Sequence, residues 1–181
     1  MLPVAKMKLP SCLKGERNGL LPSSVLKSTG LSSFRLAEPA ARSVKPLIVA
    51  AAEAGFRVWF TGTYRSLAGQ VDLFTSRYTN SKVNGVRPVW WNNRRWWKRA
   101  GVAQAAKPGS SNHGWGLAAD FCLRTPNSKK VLPVSSEFVN WMCENAHRWG
   151  WSAELQSEPW HWRYVAGDDI PQEVLAYEEG K

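Results

Sequence analysis

The run Ser111-Asn112-His113-Gly114-Trp115-Gly116-Leu117-Ala118-Ala119-Asp120, answered by Glu158-Pro159-Trp160-His161, gathers the side chains best suited to chemistry in this chain. Two of the sequence's three histidines lie in it, together with one aspartate and one further carboxylate. A catalytic zinc asks for that inventory: three protein ligands, a fourth position for water, and a carboxylate outside the ligand set to handle the proton. His113, Asp120 and His161 are therefore candidate ligands of one Zn2+ ion, and Glu158 is the candidate base.

The spacing says how such ligands must be carried. Helical zinc motifs put two histidines four residues apart on one face, and no such pair occurs here. Between His113 and Asp120 stand Gly114 and Gly116, so the chain is expected to turn after the histidine and then run extended. In a strand over 117–123, Ala118 and Asp120 share one face while Leu117, Ala119 and Phe121 share the other. In a strand over 161–165, His161, Arg163 and Val165 point one way, and Trp162 and Tyr164 the other. Antiparallel neighbours with Asp120 and His161 on a common face converge on one ion, with His113 closing the third corner. Zinc would then sit at ~2.0–2.2 Å from its N and O donors. Glu158, three residues before His161, lies off that face and must reach in from the turn that Pro159 stiffens.

The elements that position these residues are legible in outline. Val44, Leu47, Ile48 and Ala51 mark a helix over 38–54 that Gly55 ends, although Pro46 argues for a later start. A strand over 56–63 leads into Tyr64-Arg65-Ser66, followed by a helix with Leu67, Val71, Phe74 and Tyr78 on one face. Phe138, Trp141, Met142, Asn145, Ala146 and Trp149 trace a third helix that Gly150 closes. His147, on that helix among tryptophans, reads as structural, and Cys122 as core. Residues 1–35 read as an arm packed on the core, with a short helix near Ser23–Lys27. Residues 36–181 form the main domain, with a long irregular insertion at about 79–110 and a polar tail from Gly167. With no βαβ rhythm, the expected class is α+β: a small central antiparallel sheet carrying the site, flanked by three or four helices.

Composition bounds the setting. A formal charge of +10 implies a polyanionic neighbour, either an anionic wall polymer or nucleic acid. In the insertion, Arg87, Arg94, Arg95, Lys98 and Arg99 interleave with Trp90, Trp91, Trp96 and Trp97. Such residues can grip a glycan and its anionic stem peptide, pin a loop to the body, or stack nucleobases; the wall reading ranks first and nucleic acid last. Three cysteines without CxxC spacing argue against a disulfide framework and for a reducing compartment. The first residues contain no apolar core of a signal peptide, and no run approaches the ~18 apolar residues of a membrane span. We therefore expect a monomeric protein made in a cytoplasm without an export signal.

The sequence resembles the LAS-type zinc peptidases of bacterial cell walls, which include D-alanyl-D-alanine carboxypeptidases and the L-alanyl-D-glutamate endopeptidases of phage lysins. Their SxHxxGxAxD signature is filled by Ser111, His113, Gly116, Ala118 and Asp120, and their ExxH signature by Glu158 and His161. A strand leading into YRS with a glutamine four residues on is matched by Tyr64, Arg65, Ser66 and Gln70. The resemblance spans about residues 56–165. It implies zinc held by His113, Asp120 and His161, Glu158 as catalytic base, and Arg65 steadying the oxyanion. Ser111, Gln70, Tyr64, Trp160 and Arg163 become candidates for contact with a peptidoglycan stem peptide. The Pro108–Gly116 run looks most like phage lysins, which implies an enzyme made in the host cytoplasm that acts on the host wall.

Overall fold

The computed structural model describes residues 1–125 and 130–180. The N-terminal arm enters the core before its first strand, because Leu13 and Leu21 are buried there. Residues 23–27 do not form the expected helix: a turn leads into strand β1 (Leu26–Ser28), which pairs antiparallel with β2 (Arg35–Ala37). The reason is local: Leu26 is needed in the core and Ser28, Thr29 and Gly30 close a hairpin, so an extended pair buries more than one helical turn would. Further out, the arm lies along the edge strand at Trp151–Ala153, with Val4 bridging Ala153 and Lys8 N–H donating to the Val165 carbonyl.

Helix α1 (Glu38–Glu53) begins where periodicity placed it and runs through Pro46. Pro39 in its first turn needs no donor, and the buried face of Val44, Leu47 and Ala51 outweighs the single hydrogen bond that Pro46 forfeits. Gly55, at φ 89°, takes the left-handed position just past the helix end. The chain then forms β3 (Val58–Gly62) and, after Tyr64-Arg65-Ser66, α2 (Leu67–Arg77), whose N-cap Ser66 accepts from Gly69 N–H.

The insertion is more ordered than expected. Tyr78 leaves the helix for β4 (Tyr78–Thr79), and β5 (Val89–Trp91) and β6 (Arg94–Lys98) complete a three-stranded antiparallel sheet in the order β4-β6-β5. Asn92 and Asn93 both sit at positive φ, 50° and 55°, the signature of a tight hairpin turn. Trp91 and Trp96 pack edge-on against Phe74 of α2, and Tyr78 stacks on the same ring at 4.3 Å. Two of the insertion's four tryptophans thus fasten this sheet to the body.

The central sheet joins β3 to β7 (Ala118–Arg124), then to β10 (His161–Tyr164) and β9 (Trp151–Ala153), with β8 (Val131–Leu132) pairing β7 beside them. Helix α3 (Ser136–Asn145) passes into a 3-10 turn over Ala146–Trp149, which Gly150 ends at φ 74°. One sheet face is the core, where Phe60, Phe121, Phe138, Trp151, Trp162 and Tyr164 are essentially inaccessible. His147 faces solvent on the 3-10 turn rather than lying among the tryptophans, because the tighter turn rotates it outward. The tail contains α4 (Gln172–Glu179), anchored by buried Val174 and by a bidentate Arg42–Glu178 pair at 2.7–2.9 Å. Its polarity hid it, since one apolar residue per turn is enough for so short a helix. Among the described residues no helix is long and apolar enough to cross a membrane.

Candidate active site

The opposite face of the central sheet holds the polar cluster. The β7–β10 register pairs His161 directly with Asp120, so both side chains project from one face as the alternation requires. His113 comes from the 3-10 turn Asn112–Trp115, capped by Ser111, whose hydroxyl accepts from His113 N–H at 3.3 Å. Donor atoms of His113, Asp120 and His161 all lie within 4.8 Å of one another. Among the described residues this is the one such grouping of three.

Two hydrogen bonds select the nitrogen each histidine presents. His113 Nδ1 lies 2.8 Å from the Thr63 carbonyl, which leaves Nε2 facing Asp120 at 3.3 Å. His161 is turned the other way: Nδ1 sits 2.8 Å from Asp120 Oδ1, while Nε2 is 2.7 Å from Glu154 Oε2. A carboxylate on the far nitrogen fixes the ring and raises its basicity as a ligand. Glu154 has a second tie, from Asn112 Nδ2 at 2.7 Å, so it spans both ligand-bearing segments. Sequence reasoning missed Glu154. The usable signal was chemical: a ligand histidine needs an acceptor for its other nitrogen, and Glu154 is the nearest acid upstream besides Glu158.

The electrostatics suit a cation. Burial alone would raise the Asp120 carboxyl, yet hydrogen bonds from His113 and His161 hold it far below the usual range. Burial likewise opposes charge on His161, but Asp120 and Glu154 push it up to about 9 when no cation is bound. Glu154 is held down at about 2, chiefly by its bond to His161. Two imidazoles and a carboxylate form a donor set that zinc accepts, and its binding would displace the His161 proton.

Arg65 stands beside this cluster. Its guanidinium lies 3.9 Å from Asp120 Oδ2, and its backbone N–H donates to the His113 carbonyl at 3.0 Å. Burial lowers its pKa, with Asp120 acting the other way, and an arginine stays charged regardless. Asp120 reaches it because β3 carries Gly62 opposite: a Cβ there would come within 2.8 Å of Asp120 Oδ2. A cleft of about 400 Å³ opens along Thr61–Arg65 and is walled on its far side by Ser33, Phe34 and Arg35.

The remaining candidates fall into two groups. Tyr64 lines that cleft, and its hydroxyl accepts from Leu21 N–H at 3.2 Å. Trp160 is exposed at the turn before β10. Glu158 occupies the same turn, half-buried, with its carbonyl accepting from His161 N–H. Among the described residues its carboxylate has no hydrogen-bond or ionic partner.

Gln70 and Arg163 are committed elsewhere. Gln70 is buried, donating to Asn18 Oδ1 and the Arg65 carbonyl and accepting from Gly109 N–H at 2.9 Å. It braces the His113 turn against α2 from a buried position. Arg163 binds Glu154 at 3.4 Å and the Ala5 carbonyl at 2.8 Å, which takes it out of the role of carboxylate reader. The arm shares in the bracing: Asn18 Nδ2 donates to Ser111, Gly19 N–H to Gly114, and Leu67 N–H to Gly19. Gly114 fits this knot only as glycine, since a Cβ would meet Asn18 Oδ1 at 2.0 Å and Gln70 Nε2 at 2.3 Å. Gly114→Ala should therefore cost about 1–3 kcal/mol, seen as a fall in Tm of roughly 3–10 °C. An unchanged Tm would mean that the knot opens freely.

Comparison with known proteins agrees with this fold. The chain superimposes on the vancomycin-resistance D,D-pentapeptidase VanY of the VanB-type cassette, a mutant form solved with Zn(II). The TM-score is 0.56 at 21% identity, covering 88% of this chain and 89% of that one. The LdcB LD-carboxypeptidase matches at TM-score 0.57 and 22% identity over 90% of this chain and 76% of that one. DacB from Streptococcus pneumoniae D39 matches at 0.51 and 23% over 86% and 78%. At these identities the likeness speaks for the fold. No curated protein matches by sequence. A family profile, described as VanY, D-alanyl-D-alanine carboxypeptidase, matches residues 33–167, well over half of the chain. The His113, Asp120 and His161 cluster, Glu154 and Arg65 all lie inside that span, and the chain belongs to the VanY family of D-alanyl-D-alanine carboxypeptidases.

Proposed function

We propose that this protein hydrolyses peptide bonds in peptidoglycan stem peptides, and that it serves as a phage lysin acting on the host wall. The observation that carries the reading is the convergence of His113, Asp120 and His161, with Arg65 at 3.9 Å from Asp120, beside an open cleft. His113, Asp120 and His161 would hold a zinc ion there, which would supply Lewis acidity to the scissile carbonyl and a nucleophilic water near neutral pH. Glu158, without a side-chain partner among the described residues, takes the proton from the attacking water and returns it to the departing amine. Arg65 faces the oxygen that gains charge as the carbonyl becomes tetrahedral. Glu154 keeps His161 turned so that Nδ1 points at the cluster.

Two bonds are consistent with this chemistry. The names of the family and of its structural relatives, among them VanYB in complex with D-Alanine-D-Alanine, favour removal of a terminal D-alanine. The open cleft and a lysin role favour internal cleavage between L-alanine and D-glutamate, because loss of a terminal residue leaves the wall network joined. Mass spectrometry of muropeptides after digestion by the zinc-loaded protein separates them: stems shortened by one D-alanine in the first case, stems released from the glycan-linked L-alanine in the second. No new terminus from any wall type would overturn the proposal. Arg65→Ala should lower kcat by roughly 10²–10³ with zinc content unchanged, and a variant of normal kcat would remove Arg65 from the oxyanion site.

A further inference from the structure

The positive charge of this protein is concentrated in one place. Between Asp72 and Asp120 there are eight basic residues, five of them arginine, and no acidic one. Of 24 basic and 14 acidic residues in the chain, this leaves 16 against 14 for the rest, which is close to neutral. Among the described residues none of the eight pairs with a carboxylate; Arg77 and Lys98 donate only to the Gln104 and Val102 carbonyls.

The β4-β6-β5 sheet divides its aromatic residues between two faces. Val89, Trp91, Arg94, Trp96 and Lys98 fall on one face by register, and Trp91 and Trp96 of this set pack on Phe74. Trp90, Arg95 and Trp97 fall on the other. There Trp90 is 59% exposed, far more than any other tryptophan on this sheet, and the Arg95 guanidinium sits 5.2 Å from its ring centre. Burial does not account for this outer tryptophan, and no internal acid accounts for the arginines around it.

We propose that the outer face of this hairpin is a docking surface for a phosphodiester-linked anionic glycopolymer of the bacterial wall. Sugar rings lie against Trp90 and Trp97, and phosphates are met by Arg95 and the sequence neighbours Arg87 and Arg99. Arginine's planar fork matches phosphate better than lysine's point charge does, in keeping with five arginines among the eight. The inference rests on the wall-directed function above and supplies the partner that holds the enzyme near its substrate.

The test uses the full-length, zinc-loaded protein and its Trp90→Ala/Arg95→Ser variant. Co-sedimentation is measured with purified walls before and after hydrofluoric acid removes phosphodiester-linked polymers. Wild type should bind native walls roughly tenfold more tightly than stripped ones, with the difference shrinking as salt rises. The variant should lose that advantage while its Tm and its turnover of a small soluble stem peptide stay within about twofold of wild type. Equal binding to native and stripped walls, full retention by the variant, or tighter binding to a single-stranded DNA oligonucleotide at equal salt would each overturn the proposal. Failure to cleave stem peptides, by contrast, would strike the catalytic reading and leave the wall-binding comparison standing.

Discussion

Glu158→Gln is expected to keep a full equivalent of zinc and to lose about 10²–10⁴ of its turnover, the usual share of a general acid–base group. The two carboxylates near His161 make this a demanding test. Glu154 is bound to His161 Nε2 and Asn112 Nδ2, and its low pKa makes it a poor proton carrier near neutrality. Glu158 stands on the turn that delivers His161 and has no competing partner among the described residues. Substituting Glu154→Gln should instead weaken zinc affinity by roughly 10–100-fold, as loss of an orienting acceptor does, with turnover largely restored at saturating zinc. Zinc stoichiometry by elemental analysis and kcat on a soluble stem peptide separate the two effects. Should Glu154→Gln abolish turnover at saturating zinc while Glu158→Gln spares it, the two roles would have to be exchanged.

Asp120→Ala has the other large effect, because Asp120 is the hub of the cluster. Its two oxygens meet both histidines, and the same carboxylate balances Arg65. Removing it leaves two imidazoles and a guanidinium facing one another in a partly buried site, which repels a divalent cation. Bound zinc should fall from one equivalent to near zero. The zinc-dependent rise in Tm that wild type gains through mass action should vanish with it. Retention of one equivalent of zinc by this variant would take Asp120 out of the ligand set.

How much of this was legible in the chain can be argued from particular residues. The outward face shared by Asp120 and His161 was legible from alternation in two short strands, while their direct pairing was fixed only by how the strands align. The Glu38–Glu53 helix was legible from its apolar spacing in spite of Pro46. The hairpin over 89–98 was missed although its Asn-Asn turn lay in view, since flanking tryptophan pairs blur the alternation that marks a strand. Helix α4 was missed because a single buried valine does not make a periodic signal.

By itself the sequence determined the inventory: which imidazoles and carboxylates exist, which glycines precede a ligand strand, and that one stretch holds cations without acids. These are properties of residue type and short spacing, and short spacing translates directly into the faces of strands. Only the tertiary structure decided which groups hold that inventory in place. Glu154 reaches His161 across a seven-residue interval, Gln70 clasps Asn18 and Gly109, and Arg163 turns to the arm at Ala5. Such partners are fixed by how distant segments pack, with separations of 39–158 residues for the last three contacts. No local period records them, so the supports of the site became visible only when the chain was folded.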